Sequence, residues 1–143
     1  MKKPQLTAIN PKDIDLYWSH VRHLIEPAIG YSNYDTAEDV YKALKEQRAY
    51  LWIVHTGDQI DVAVVMQLKL SKKRGKIFTI WALGAQGNKI WKWLRFIKDF
   101  EAFAEREGCA LAIHDLRPEW VQIMCKKFGY RMTHATIEKA IQL

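Results

Sequence analysis

The chain lacks most of the features that would set it apart from an ordinary globular domain. Only two of its 143 residues are cysteines, Cys109 and Cys125. They stand in unlike contexts and make no metal-ligand spacing, so they read as reduced thiols; a disulfide scaffold and a zinc site are excluded. No apolar run approaches the ~20 residues that a membrane-crossing helix needs. Met1-Lys2-Lys3-Pro4 leads into no apolar leader segment, which makes the cytoplasm the expected location. There is no internal repeat, low-complexity tract or linker, and residues 1–143 are expected to form one domain. The sequence offers no P-loop and no Ser-His-Asp arrangement, and no metal is expected. Acidic residues are missing altogether from Val62 to Lys98, where nine basic residues fall: Lys69, Lys72, Lys73, Arg74, Lys76, Lys89, Lys92, Arg95 and Lys98. Such a stretch either attracts the phosphates of a cofactor, a nucleic acid or a lipid surface, or is a solvated hairpin tip followed by the polar face of a helix. No nucleic-acid motif accompanies it.

What is present is a globular balance, with 49% apolar and 27% charged residues, long enough to enclose one core. Gln5–Ile9 reads as a short strand. Asn10-Pro11 then opens a helix, with Asn as N-cap and Pro at the first helical position, and Ile14, Tyr17, Trp18, Val21, Leu24, Ile25 and Ala28 share one face. Gly30 and Ser32-Asn33 break it. Thr36 and Asp39 form a capping box for a second helix that turns Ala37, Val40, Tyr41 and Leu44 inward. Three strands follow: Ala49–His55, an alternating strand with Ile60, Val62, Val64, Met66, Leu68 and Leu70 on one face and Asp61, Gln67 and Lys69 on the other, and the nearly all-apolar Lys76–Leu83. Asn88 caps a long helix running to about Glu107, with Ile90, Trp93, Leu94, Ile97, Phe100 and Ala104 buried. Cys109–His114 is a short strand, Pro118 starts a helix with Val121, Met124 and Phe128 inward, and Tyr130–Glu138 is a last strand. A helix between Leu83 and Cys109 allows a right-handed crossover, so those two strands are expected to run parallel. The fold class is α/β: a mixed α+β sheet with helices on its faces, in the order β-α-α-β-β-β-α-β-α-β.

This order is similar to the GNAT (acyl-CoA N-acyltransferase) superfamily along nearly the whole chain. Gly108-Cys109, Ile113, Arg117-Pro118-Glu119-Trp120 and Phe128-Gly129-Tyr130 resemble the closing segment of small GNAT-like proteins encoded by tailed phages. The resemblance implies an acetyl-CoA pyrophosphate site at the loop after the fourth strand, where free backbone amides and a helix start bind phosphate. The family pattern there is Gln or Arg, two residues, Gly, one residue, then Gly or Ala. It falls on Gln86-Gly87-Asn88-Lys89-Ile90-Trp91, so Gln86 matches while Lys89 and Trp91 stand where small residues belong. Gln86, Gly87, Asn88 and Lys89 are the candidate cofactor-binding residues. In another register Gly84, Ala85 and Gly87 supply the close approach, and Lys89 and Lys92 help to hold the anion.

The family's thiolate-protonating Tyr falls on Cys125, and no acid stands in Lys76–Leu83 to act as base, which leaves His114, beside Asp115, as substitute. Trp91 lies off the apolar stripe among basic residues, and with Lys92 and Arg95 it has the composition of an interaction surface. Two functions stay open. One is a GNAT-fold binding, assembly or virion component with a protein partner and no cofactor, placed in a host cytoplasm or virion if phage-encoded. The other is an acetyl-CoA-dependent N-acetyltransferase with a divergent site.

Overall fold

A computed structural model describes residues 2–29, 35–73, 75–113 and 118–133. Among the described residues five strands form one sheet in the order β1-β2-β3-β4-β5: β1 Gln5–Ala8, β2 Tyr50–Thr56, β3 Gln59–Ser71, β4 Gly75–Ala85 and β5 Ala110–Ile113. The first four are antiparallel neighbours, and β5 pairs parallel to β4, the result of the crossover between them. Among the described residues no helix is long and apolar enough to cross a membrane.

Helices cover both faces. On one side lie α1 Ile14–Ile29, entered through a 3-10 turn at Pro11–Asp13, and α2 Ala37–Lys45. The Asn10 side chain accepts from the Lys12 amide, and Thr36 and Asp39 close a reciprocal capping box. These helices bury Val21, Leu24, Ile25, Val40 and Leu44 against Leu51, Ile53, Ala63, Val65 and Ala82 of the sheet. On the other side α3 Ile90–Leu94, α4 Ile97–Arg106 and α5 Pro118–Phe128 bury Trp93, Ile97, Phe100, Ala104 and Met124 against Val54, Val62, Val64, Met66, Phe78 and Ile80. Coverage of both faces explains why Asp61 to Met66 are all buried without alternation.

Several details differ from expectation. The long helix after β4 is two helices, with a turn at Arg95–Phe96, and no Gly or Pro stands there to account for the break. Its first cap is Lys89, which makes no side-chain capping bond, and Asn88 lies in the preceding turn. Leu68 and Leu70 are exposed, because β2 pairs with β3 only as far as Met66 and the β3–β4 hairpin runs on past it. Of the expected strand over Tyr130–Glu138, residues 130–133 are described and carry no strand; the remainder lies outside the described residues, as do Gly30, Ser32, Asn33, Arg74 and Asp115.

Two bulges shift the strand faces. Val54 pairs with Val62 and His55 with Ile60, which leaves Asp61 as a surplus residue in β3. Val65 pairs with Ala82 and Met66 with Ile80, which leaves Trp81 surplus in β4. A bulge re-aims the side chain it inserts. Ile60 therefore packs on the α1 side while Val62 packs on the α3 side. Trp81, bonded through its indole nitrogen to Asp35 at 3.0 Å, shares the α1 face with Ala82.

Candidate functional site

The end of the sheet that matters is where β4 finishes and α3 begins. Pairing between β4 and β5 stops at Ile80 and Ile113, directly before the bulge at Trp81. From Trp81 to Ala85 the β5-facing edge of β4 has no strand partner among the described residues. The helices that follow these two strands start on either side of the split. Trp91, in the first turn of α3, meets Trp120, in the first turn of α5, with ring centroids 4.9 Å apart at 60°. That edge-to-face geometry suits two aromatic quadrupoles.

The loop Gln86–Lys89 is fastened from below. The Gln86 amide donates to the Asp61 carbonyl at 3.0 Å. The Asp61 carboxylate, fully shielded from solvent, accepts from Lys89 Nζ at 3.0 Å through Oδ1, and from Lys92 Nζ at 2.9 Å and Thr56 Oγ1 at 2.8 Å through Oδ2. Burial alone would raise the Asp61 pKa. The bonds from Lys92, Thr56 and Lys89 outweigh it and hold the carboxyl below the usual carboxylate range. The bulge makes this possible by turning Asp61 toward α3.

The candidate residues separate accordingly. Gln86, Gly87 and Asn88 are exposed on the loop, with Gly87 at φ +57° and open space around it. Lys89 is drawn onto Asp61. Gly84, the alternative phosphate-approach glycine, is a buried residue of β4: a methyl group there would lie 1.8 Å from the Leu24 carbonyl oxygen of α1. Its smallness serves helix packing. Trp91, Lys92 and Arg95 come together with Lys2, Pro4 and Thr56 around a cleft of about 310 Å³. Cys125 is a half-buried free thiol on α5, five residues past Trp120, which places it about 7.5 Å further along the helix axis. His114 lies outside the described residues. Among the described residues no group of His, Cys, Asp or Glu could hold a metal ion. The residue that sequence reading missed is Asp61, although a signal was present: it is the last carboxylate before the acid-free stretch that supplies both of its lysines.

No family model matches the chain, and no curated protein matches it in sequence. Solved structures do match its fold. A GNAT family acetyltransferase of Staphylococcus aureus superposes with a TM-score of 0.63 at 17% identity, covering 99% of this chain and 100% of that one. A predicted acetyltransferase from Clostridium acetobutylicum, solved with acetyl-CoA, gives 0.62 at 16% identity over 96% of each chain. An aminoglycoside acetyltransferase from an uncultured soil metagenomic sample, in complex with sisomicin, gives 0.67 at 11% identity, covering 98% and 96%. The chain has the GNAT acetyltransferase fold. At these identities the likeness is one of fold; activity is argued from the site.

Proposed function

We propose that this domain uses the GNAT fold for binding rather than acyl transfer, with Trp91, Lys92 and Arg95 as its working surface. The observation that carries the reading is the ring pair of Trp91 and Trp120, which links the two helix starts beside the split between β4 and β5. A diphosphate held by backbone amides needs small side chains at its approach. At the two positions that the family pattern keeps small, this chain carries Lys89 and Trp91, which argues against such a fit. Releasing Lys89 to a phosphate would also weaken the pairing of a buried carboxylate, which is costly. The acid–base set is thin as well: β4 holds no Asp or Glu, and the position of the thiolate acid is Cys125. The resemblance of Gly108-Cys109, Arg117-Pro118-Glu119-Trp120 and Phe128-Gly129-Tyr130 to the closing segment of phage-encoded proteins supports such a role in an infected cell or a virion.

The second reading, an acetyl-CoA-dependent N-acetyltransferase, is favoured by the unpaired edge of β4 beyond Ile80 and by the acetyl-CoA-bound neighbour. Titration calorimetry separates the two, with AMP as control for the phosphate end of the cofactor. The wild-type protein is expected to bind acetyl-CoA no better than AMP, whereas Trp91→Gly gains about tenfold or more for acetyl-CoA. Wild-type binding of acetyl-CoA far tighter than that of AMP overturns the proposal. An unchanged Trp91→Gly variant shows that the indole is not the obstruction.

A further inference from the structure

The cleft beside Trp91 gathers positive charge. Among the described residues that line it, three are cations, Lys2, Lys92 and Arg95, and none is a carboxylate. Lys92 is held in place: of the three N–H donors of its ammonium, one goes to Asp61 Oδ2 at 2.9 Å and one to Thr56 Oγ1 at 3.2 Å, which among the described residues leaves one for a ligand. The anchor at its back, Asp61, is fully buried, so the position of the ammonium is set before anything binds. Arg95 stands three residues further along the chain and is exposed. Neither it nor Lys2 has a carboxylate within ion-pair distance among the described residues. Its fork of donors suits two oxygens of one phosphate. Trp91 is 54% exposed even though Trp120 meets it, and Pro4 adds a second apolar surface. The volume, about 310 Å³, lies at the small end of ligand sites.

We propose that this cleft is a binding site for a mononucleotide, its phosphate held by Lys92, Arg95 and Lys2 and its base laid against Trp91. Clustered cations select a phosphate over a single carboxylate, and an exposed indole selects an aromatic group attached to it, since any base offers a π-face for stacking. The inference rests on the binding reading only in taking Trp91, Lys92 and Arg95 as a working surface. It does not depend on whether the split between β4 and β5 admits acetyl-CoA.

The test is titration of the full chain at low salt, followed by calorimetry and tryptophan fluorescence, with AMP, adenosine, inorganic phosphate, an oligothymidine and phosphatidylglycerol vesicles as probes. AMP is expected to bind one to one and quench tryptophan emission, about tenfold tighter than adenosine or inorganic phosphate. Arg95→Ala weakens AMP about tenfold, and Trp91→Ala removes the advantage of AMP over inorganic phosphate. Among the described residues Arg95 has no ion-pair partner to lose, so its variant tests the site without disturbing the anchor at Asp61. AMP binding no better than inorganic phosphate overturns the proposal, as does AMP affinity unchanged in Arg95→Ala, or binding of only the oligothymidine or the vesicles. Any of these failures leaves the comparison of acetyl-CoA with AMP in Trp91→Gly to stand or fall separately.

Discussion

Replacing Gly84 by alanine is the sharpest perturbation that this architecture offers. The added methyl would sit 1.8 Å from the Leu24 carbonyl oxygen and 2.6 Å from its carbon, whereas real side-chain carbons do not come closer than 3.0 Å. Both atoms are backbone, so no side chain can swing away, and α1 must retreat from β4 by more than 1 Å. A radial gap of ~0.5–1 Å already forfeits about a quarter to a half of each van der Waals contact. Five side chains of α1 are buried: Ile14, Val21, Leu24, Ile25 and Ile29. Full burial of each is worth roughly 1.5–3 kcal/mol. Losing about a third of that across the helix gives a destabilisation of about 3–4 kcal/mol, within the upper reach of overpacking mutations. For a domain of this size it lowers Tm by about 10 °C. Gly87→Ala is the control. Nothing crowds Gly87, and its φ of +57° costs only the left-handed penalty of about 1 kcal/mol. Thermal unfolding followed by circular dichroism reads both variants. A Gly84→Ala protein melting within about 2 °C of wild type, or above Gly87→Ala, would refute the close-contact argument.

Asp61→Asn is expected to cost about 2 kcal/mol at neutral pH, less than a fully buried pair because the side chains of Lys89 and Lys92 remain 34% and 30% exposed. The Asp61 pKa is depressed on folding, so its stabilisation is complete above the usual aspartate range and is lost as pH falls through the folded value. Melting temperatures of variant and wild type should therefore converge in acid, and a gap that persists there would refute the linkage. The Tyr130 hydroxyl donates to Glu101 Oε2 at 2.9 Å, tying the residues after α5 to α4, so Tyr130→Phe should lose about 1 kcal/mol in urea unfolding. Burial, then the bond to Glu101 and its charge, raise the Tyr130 pKa. The unfolded chain gives up this proton first, so wild-type stability should drop as pH rises above the ordinary tyrosine range, a decline that the phenylalanine variant lacks.

The parts of the fold that were legible in the sequence are those governed by local chemistry. Asn10-Pro11 and Thr36 with Asp39 announce helix starts because their side chains can satisfy free amides, and both caps are made. Val21, Leu24 and Ile25 follow the helical period and are buried. The parallel pairing of β4 and β5 follows from the length of the connection. What was not legible turns on counts that only pairing can fix. Strict alternation assigns Asp61 to a face with Gln67 and Lys69, but the bulge carries it inward to Lys89, at the start of α3, and Lys92, within it, 28 and 31 residues away. Gly84 reads as a loop residue able to approach a ligand; its actual neighbour is a helix far earlier in the chain. The break at Arg95–Phe96 has no signature in residue type at all.

The surplus residue at Trp81 also decides which side chain α1 rests on. If the same sequence paired with β3 without it, each later residue of β4 would turn over, and Leu83 rather than Gly84 would face Leu24. No leucine could occupy a space where even a methyl group fails. The kink is thus a phase correction: one added residue brings the sole hydrogen-sized side chain of that stretch beneath the helix. The same kink falls where the two parallel strands part company.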